Sequence, residues 1–244
     1  MGTEQVAGRV AVITGGGGGI GRAVAVKLAD SGMRIVLLGG RDRERLEAAR
    51  REVALRSAAL VVPGDLTDTG FLARAVEQVA AECGGIDVLI NNAGAAQSTP
   101  FEQIGPEEFD RIMTINFRVP FFLTRYALPH LKRSAAATVV NIASVVAHSG
   151  YPLQSVYSAS KHALLGWTKS LARECFRDGI RVHAVSPGGV YTDMVRLSRP
   201  DLTPEGMIVP EEVAEVVHFL LTHRGNAVID EVLLHRAAKE PFLV

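Results

Sequence analysis

The chain has 244 residues, 26 basic and 26 acidic side chains, and 48% hydrophobic residues. That apolar content supports a substantial core and excludes a disordered chain. Zero net charge gives no support to a nucleic-acid or anionic-membrane partner.

Two cysteines, Cys83 and Cys175, lack metal-ligand spacing and lie in apolar helical stretches. They read as buried free thiols in a reducing compartment. The first residues, Met1 to Gln5, lack the basic-then-apolar pattern of a secretion signal, and no apolar run reaches membrane-spanning length. A cytoplasmic location with no membrane partner is the expectation.

Short β-branched runs alternate with helical periodicity along the whole chain. The expected strands are Val10–Thr14, Arg34–Leu38, Ala59–Val62, Val88–Asn91, Thr138–Ala143, Arg181–Val185 and Val228–Leu234. A helix follows the first strand, with Ile20, Val24 and Leu28 on one face and Gly32 closing it. Arg43–Arg56 turns Leu46, Ala49 and Val53 inward. Thr67-Asp68 opens a third helix, and Pro106 starts a fourth that runs to about Lys132 with a local kink at Pro120. Further helices cover Ser155–Phe176 and Glu211–Leu221. Without a polar linker, this alternation predicts one α/β domain over residues 1–244. Right-handed crossovers then give a doubly wound sheet of about seven parallel strands flanked by helices, and ligands bind such sheets beyond the strand C-termini.

The sequence features with chemical character fall on that edge. The first strand runs into Gly15-Gly16-Gly17-Gly18-Gly19-Ile20-Gly21 and then a helix N-terminus. Backbone N–H groups and the helix dipole there suit a pyrophosphate. Gly64-Asp65-Leu66 follows the third strand, Asn91-Asn92-Ala93-Gly94 the fourth, Ser144 the fifth and Ser186-Pro187-Gly188 the sixth. On the helix from Ser155, Tyr157 and Lys161 stand at i and i+4 and share a face. A free tyrosine has a pKa of about 10, and a cation beside it lowers that value. Each feature has a plainer reading: a flexible turn for the glycines, a cap for Ser144 or Asp65, and a satisfied core amide for Asn116.

Thr14-Gly15-x3-Gly19-Ile20-Gly21, Asn91-Asn92-Ala93-Gly94, Ser144, Tyr157-x3-Lys161 and Pro187-Gly188 occur in the order and spacing of the short-chain dehydrogenases/reductases, which the chain resembles from about Val10 to Leu221. The resemblance implies a Rossmann-like fold and an NAD(P)-dependent oxidoreductase that interconverts a carbonyl and a secondary alcohol of a small molecule. It makes Tyr157 the general acid/base and Ser144 the hydrogen-bond donor to the substrate oxygen. Lys161 becomes the cation that lowers the tyrosine pKa and holds the nicotinamide ribose, and Asn116 stands beside a water linking that lysine to solvent. Gly15, Gly17, Gly18, Gly19, Ile20 and Gly21 would meet the pyrophosphate. Asp65 and Leu66 would meet the adenine, and Asn91, Ala93 and Gly94 the adenosine ribose. Pro187, Gly188, Val190 and Thr192 would meet the nicotinamide end.

The second strand ends Leu38-Gly39-Gly40-Arg41-Asp42, with glycine where an NAD-selecting carboxylate stands and Arg41 able to meet a 2′-phosphate. NADP is therefore favoured over NAD, although Asp42 turned inward would restore NAD binding, and Gly18 stands where many NADP-preferring members carry a basic residue. The seven histidines form no metal-binding pair, and no metal is expected. The apolar segment Asp193–Val209 can cover a substrate pocket. Aromatic residues on the helices after Pro106 and around Tyr157, including Phe117, Phe121, Phe122, Tyr126, Trp167 and Phe176, exceed one face. By resemblance these helices pair across a two-fold axis, which predicts a homo-oligomer, a tetramer or a dimer. The C-terminal stretch Asn226 to Arg236 departs from the family's usual tail. Two other readings compete with this one. A dinucleotide-binding regulator without turnover is opposed by the intact Ser144, Tyr157 and Lys161. A sugar-nucleotide epimerase is opposed by the short segment after Thr192.

Overall fold

The structure is a computed structural model that describes residues 6–40, 42–198 and 203–240. Seven strands form one parallel sheet in the order β3-β2-β1-β4-β5-β6-β7. They are β1 (Val10–Thr14), β2 (Arg34–Leu38), β3 (Ala59–Val62), β4 (Val88–Asn91), β5 (Thr138–Ile142), β6 (Arg181–Pro187) and β7 (Glu231–Leu234). The order reverses between β1 and β4, so a crevice opens at the C-terminal ends of those two strands.

Helices cover both faces: α1 (Gly19–Asp30), α2 (Arg43–Ala54), α3 (Thr69–Cys83), α4 (Pro106–Met113), α5 (Val119–Leu131), α6 (Ser155–Cys175), α7 (Asp193–Ser198) and α8 (Pro210–Thr222). Alternate strand residues divide into two cores. Ala11, Ile13, Ile35, Leu37 and Ile90 pack with Val24 and Leu28 of α1 and Val213 and Val217 of α8. Val10, Val12, Val36, Leu38 and Leu89 pack with Leu72 and Val76 of α3, Leu123 of α5 and Leu171 of α6. Burial on both faces is why the strands read as unbroken apolar runs. Each fully buried Leu, Ile or Val contributes about 1.5–3 kcal/mol relative to exposure.

The ends of the elements follow local chemistry. Asp68 caps α3 by accepting from the Gly70 N–H at 2.8 Å, so the helix begins at Thr69. Gly32, at φ 79°, returns its N–H to the Ala29 carbonyl after α1. Two expectations are corrected. The long helix after Pro106 is interrupted by a π-helical turn, Thr114–Arg118, before α5. Pro120 has no N–H for the carbonyl four residues back, so a wider turn absorbs the mismatch. The seventh strand is also shorter than Val228–Leu234 and begins at Glu231, just after the Ile229 carbonyl that the His183 ring meets at 2.6 Å. Both cysteines are free, with Cys175 buried and Cys83 partly so, and burial raises the pKa of each thiol. Among the described residues no helix is long and apolar enough to cross a membrane.

Candidate active site

The C-terminal edge of the sheet gathers the residues that the spacing selected. β1 ends at Thr14, whose hydroxyl accepts from the N–H groups of Asn92 and Ala93, each at 3.0 Å. The Asn92 side chain returns a 2.9 Å bond to the Thr14 carbonyl. This clasp closes the β1/β4 crevice from below. The glycine loop lies above it. A Cβ on Gly21 would collide with the Gly15 carbonyl and the Asn92 side chain, so only glycine lets helix and strand approach this closely. Gly18 caps α1 without any side-chain bond, and no acidic residue lies in the first turn. The N–H groups of Gly19, Ile20 and Gly21 occupy that turn, where helical N–H groups have no intrahelical acceptor. Thr192 closes the loop from the far side, its methyl 3.1 Å from where a Gly19 Cβ would stand.

The catalytic end is built by β5 and α6. Ser144 follows β5 and is buried. Its hydroxyl donates to the Pro187 carbonyl at 3.3 Å and accepts from the Val146 N–H at 3.4 Å. It also interacts with the Tyr157 hydroxyl, and it caps the short turn that follows, as the plainer reading has it. Lys161 lies one turn along α6 from Tyr157 and is 5% exposed. Its ammonium donates to the Ile142 carbonyl at 2.8 Å and stands 5.9 Å from the Tyr157 ring centroid.

The electrostatics differ from expectation. Burial raises the Tyr157 pKa above the ordinary phenol value, and the Ser144 hydrogen bond opposes the rise. The tyrosine pKa therefore lies above the ordinary value, where the Lys161 spacing suggests a lower one. The amine donates to the Ile142 carbonyl and stands 5.9 Å from the ring centroid, and burial pulls its own pKa down to about 8.

Asn116 sits in the π-helical turn, buried and fully engaged. Its oxygen accepts from the Ala95 N–H at 2.8 Å, and its amide donates to the Ala95 carbonyl and the Ser160 hydroxyl, each at 3.0 Å. This is the satisfied amide of the plainer reading, and it fixes the loop after β4 against α6. The Asn91 side chain also points into the protein, donating to Thr124 at 3.0 Å and to Asn141 at 2.8 Å, so it ties β4 to α5 and β5. Asn92, passed over in the sequence, carries the crevice contact instead. Gly94 lies beside Lys161, whose nitrogen is 3.9 Å from where a Cβ would stand.

The remaining expected contacts divide between backbone and core. Leu66 is buried and packs against Gly39, and Val190 is buried in the α1/α8 core. Asp65 ends the β3 edge, with one carboxylate oxygen accepting from the Thr67 N–H at 2.9 Å and the Thr67 hydroxyl at 2.8 Å. Pro187 ends β6, and the Gly188 N–H donates to the Leu234 carbonyl at 2.7 Å.

At the β2 end, Gly39 and Gly40 have φ of 77° and 109°, and side chains of Leu66 and Leu46 press against them. Among the described residues no carboxylate takes the place of Gly39 or Gly40 at the strand end. Asp42 is held as the α2 cap by the Arg45 N–H at 3.0 Å, which removes the inward turn that would have favoured NAD. Arg41 lies outside the described residues. The sequence reading missed Arg45. Its guanidinium ends 3.7 Å from where a Gly18 Cβ would stand, and it pairs with Asp193 across the glycine loop. A cation therefore occupies the space where Gly18 supplies none. His148 and His162 are engaged elsewhere, with Glu231 at 2.7 Å and the Ser158 carbonyl at 2.9 Å. Among the described residues no His, Cys, Asp or Glu cluster can hold a metal.

These residues fit a dinucleotide. The uncapped α1 N-terminus and glycine loop can hold a pyrophosphate, and the buried Lys161 ammonium beside Gly94 can hold a ribose. A parallel doubly wound sheet with this serine, tyrosine and lysine defines a class of oxidoreductase.

The comparisons with known proteins agree. The short chain dehydrogenase family matches residues 9–203, and the chain belongs to that family. A 3alpha-hydroxysteroid dehydrogenase of Mediterraneibacter gnavus is 35% identical, covering 92% of this chain and 94% of that protein. A D-beta-hydroxybutyrate dehydrogenase of Rhizobium meliloti is 36% identical, covering 86% of this chain and 82% of that one. The crystal structure of a metagenomic short-chain oxidoreductase in complex with NADP has a TM-score of 0.84 at 33% identity, covering 96% and 99% of the two chains. The chain is accordingly a nicotinamide-dependent oxidoreductase acting at CH–OH and C=O carbons.

The lowered Lys161 pKa has a measurable consequence. If Lys161 meets the cofactor ribose as the charged amine, that charge is lost from the free protein as pH rises through about 8. Cofactor affinity, followed by nicotinamide fluorescence, is expected to be flat below that pH and to weaken by up to about tenfold per pH unit above it. A flat profile up to pH 10 would remove Lys161 from the cofactor site.

Proposed function

We propose that the enzyme interconverts a small-molecule ketone and its secondary alcohol, with NADP preferred over NAD. The observation that carries this reading is the grouping of the buried Ser144 and Lys161 with the partly buried Tyr157 at the C-terminal edge of the sheet. A nicotinamide cofactor bound there supplies or accepts the hydride. In the reducing direction, a C–H bond forms at the carbonyl carbon and the Tyr157 hydroxyl delivers its proton to the oxygen. Oxidation reverses both. The raised Tyr157 pKa keeps that proton in place until the oxygen gains charge. On substrate binding the Ser144 hydroxyl turns from its long 3.3 Å bond to the Pro187 carbonyl and donates to the same oxygen. Lys161 binds the ribose, while Asn116 and Ser160 hold the loop that faces it.

Tyr157→Phe is expected to lower kcat by roughly 10²–10⁴-fold with cofactor affinity within about twofold. A near-normal kcat on a good substrate would overturn the assignment. A panel of short-chain ketones, oxo acids, cyclic diketones and steroid ketones, read by cofactor absorbance, identifies the substrate class.

The cofactor preference rests on the lack of a carboxylate at the β2 end, the capping role of Asp42, and the Arg45 guanidinium beside Gly18. Arg41, next after Gly40 in the chain, is a second candidate for a 2′-phosphate, and Asp65 is read as the acceptor for the adenine amine. Arg45→Ala should weaken NADPH by about tenfold or more and NADH by less than twofold, since a charge-assisted phosphate contact is worth about 1.5–3 kcal/mol. Equal losses for both cofactors would make Arg45 a purely structural partner of Asp193.

Residues 1–244 are read as one domain carrying both cofactor and substrate chemistry, in the cytoplasm. A homo-oligomer, dimer or tetramer, is also part of this reading. Phe117, Phe121, Phe122 and Trp167 form an aromatic stripe with ring centroids 5.3–6.3 Å apart across the π-helical turn, α5 and α6, and these rings remain partly exposed. Phe176 is 78% exposed at the end of α6. Such a surface suits a second copy of the chain. Light scattering at micromolar concentration tests it, and a mass of 26.1 kDa would sink it.

A further inference from the structure

The first turn of α6 carries Tyr157, yet its local sequence supplies no cap. Gln154 precedes the helix and its side chain makes no capping bond. The N–H groups of Val156 and Tyr157 belong to the helix end that lacks intrahelical acceptors. Both donate to the side-chain oxygen of Gln97, at 3.0 Å and 3.2 Å. Gln97 lies 60 residues away from Tyr157, in the loop after β4, and is 2% exposed. Two N–H donors converging on one atom fix the amide with its oxygen toward the helix.

The loop that carries Gln97 is itself held. Asn116 grips Ala95 at both its N–H and its carbonyl. The Thr99 N–H donates to the Leu153 carbonyl at 3.0 Å. Leu153 is the one non-glycine among the described residues with a left-handed backbone, at φ 65°. Gln97 therefore spans two fixed points and meets the turn of α6 on which the proton donor sits. Its own NH₂ group is buried with no hydrogen-bond partner. An unpaired buried donor is costly, so the amide is poorly explained as a simple stabilising contact.

We propose that Gln97 is a positioning residue for the proton-transfer step. Its side-chain oxygen acts as the N-cap of α6 from a distant loop and sets where the Tyr157 hydroxyl stands relative to Ser144. Side chains on a helix lean toward its N-terminus, so fraying of the first turn moves the phenol directly. This inference rests on the oxidoreductase reading for its kinetic arm, while its hydrogen-exchange arm needs no substrate at all.

Gln97→Met keeps the length and removes the acceptor. The expected result is a kcat lowered by roughly 10–100-fold, as for a displaced reacting group, with cofactor affinity within twofold and Tm within about 4 °C. Gln97→Glu restores an acceptor oxygen and is expected to recover most of kcat. Its added negative charge beside Tyr157 should move the tyrosine limb of the pH–rate profile upward. In the unaltered protein the Val156 and Tyr157 amides are expected to exchange slowly, and in Gln97→Met at least tenfold faster. An unchanged kcat in Gln97→Met overturns the proposal. So does a loss of kcat, cofactor affinity and Tm together, which is the mark of a structural residue. Unprotected Val156 and Tyr157 amides in the unaltered protein overturn it without any variant. If those amides are protected but no ketone or alcohol is turned over, the oxidoreductase reading fails and the capping geometry stands.

Discussion

An ammonium group buried between a helix and a sheet is the constraint around which the catalytic end is arranged. Lys161 is almost fully enclosed, and its hydrogen bond to the Ile142 carbonyl ties the middle of α6 to the last residue of β5. Burying a cation is costly, and the cost appears as a pKa drawn down to about 8. The bond to Ile142 also sets the spacing between the serine that follows β5 and the tyrosine one turn earlier on α6. Gly94 must approach closely for the amine to reach a ligand, and Asn116 holds the neighbouring Ala95 to keep that approach. Each of these contacts would lose its purpose with a neutral residue at position 161.

The cofactor end depends on a different constraint, the closeness of two backbones. Thr14 and Asn92 lock the ends of β1 and β4 together exactly where the strand order reverses. The glycine loop then passes over this clasp with no room for side chains at Gly21. The two ends of the site are thus held by different means, close backbone packing at one and hydrogen-bonded side chains at the other. Substitutions at the β2–α2 turn should change cofactor choice without disturbing the proton donor.

Much of this was legible in the sequence because sheet-edge motifs follow strands whose apolar runs are unmistakable. All seven strands fall within a few residues of their expected limits, and Tyr157 and Lys161 lie on one face of α6 as their spacing requires. What escaped was long-range and side-chain specific. Adjacent asparagines look alike in a sequence, but strand alternation sends Asn91 into the core and Asn92 to the crevice. Pro120 signalled a disturbance, yet the width of the turn before it depends on tertiary packing. Gln97 and Arg45 act across 60 and 148 residues, through contacts that no local pattern announces. The missing side-chain cap at Gln154 was the available hint for Gln97. The charge absent from Gly18 was the hint for Arg45.

The two pKa shifts at the catalytic end also bear on how the site works in each direction. Burial raises Tyr157 and lowers Lys161, so desolvation favours the neutral form of both groups. Before any ligand binds, the site therefore holds a protonated phenol, which is the form that a carbonyl reduction needs. Alcohol oxidation asks the same group to take up a proton as phenolate, and desolvation opposes that charge. A positive charge brought beside the phenol would offset the opposition, and an oxidised nicotinamide ring carries one whereas a reduced ring does not. The same tyrosine can then serve as acid with one redox form and as base with the other, with the Lys161 amine beside its ring in both.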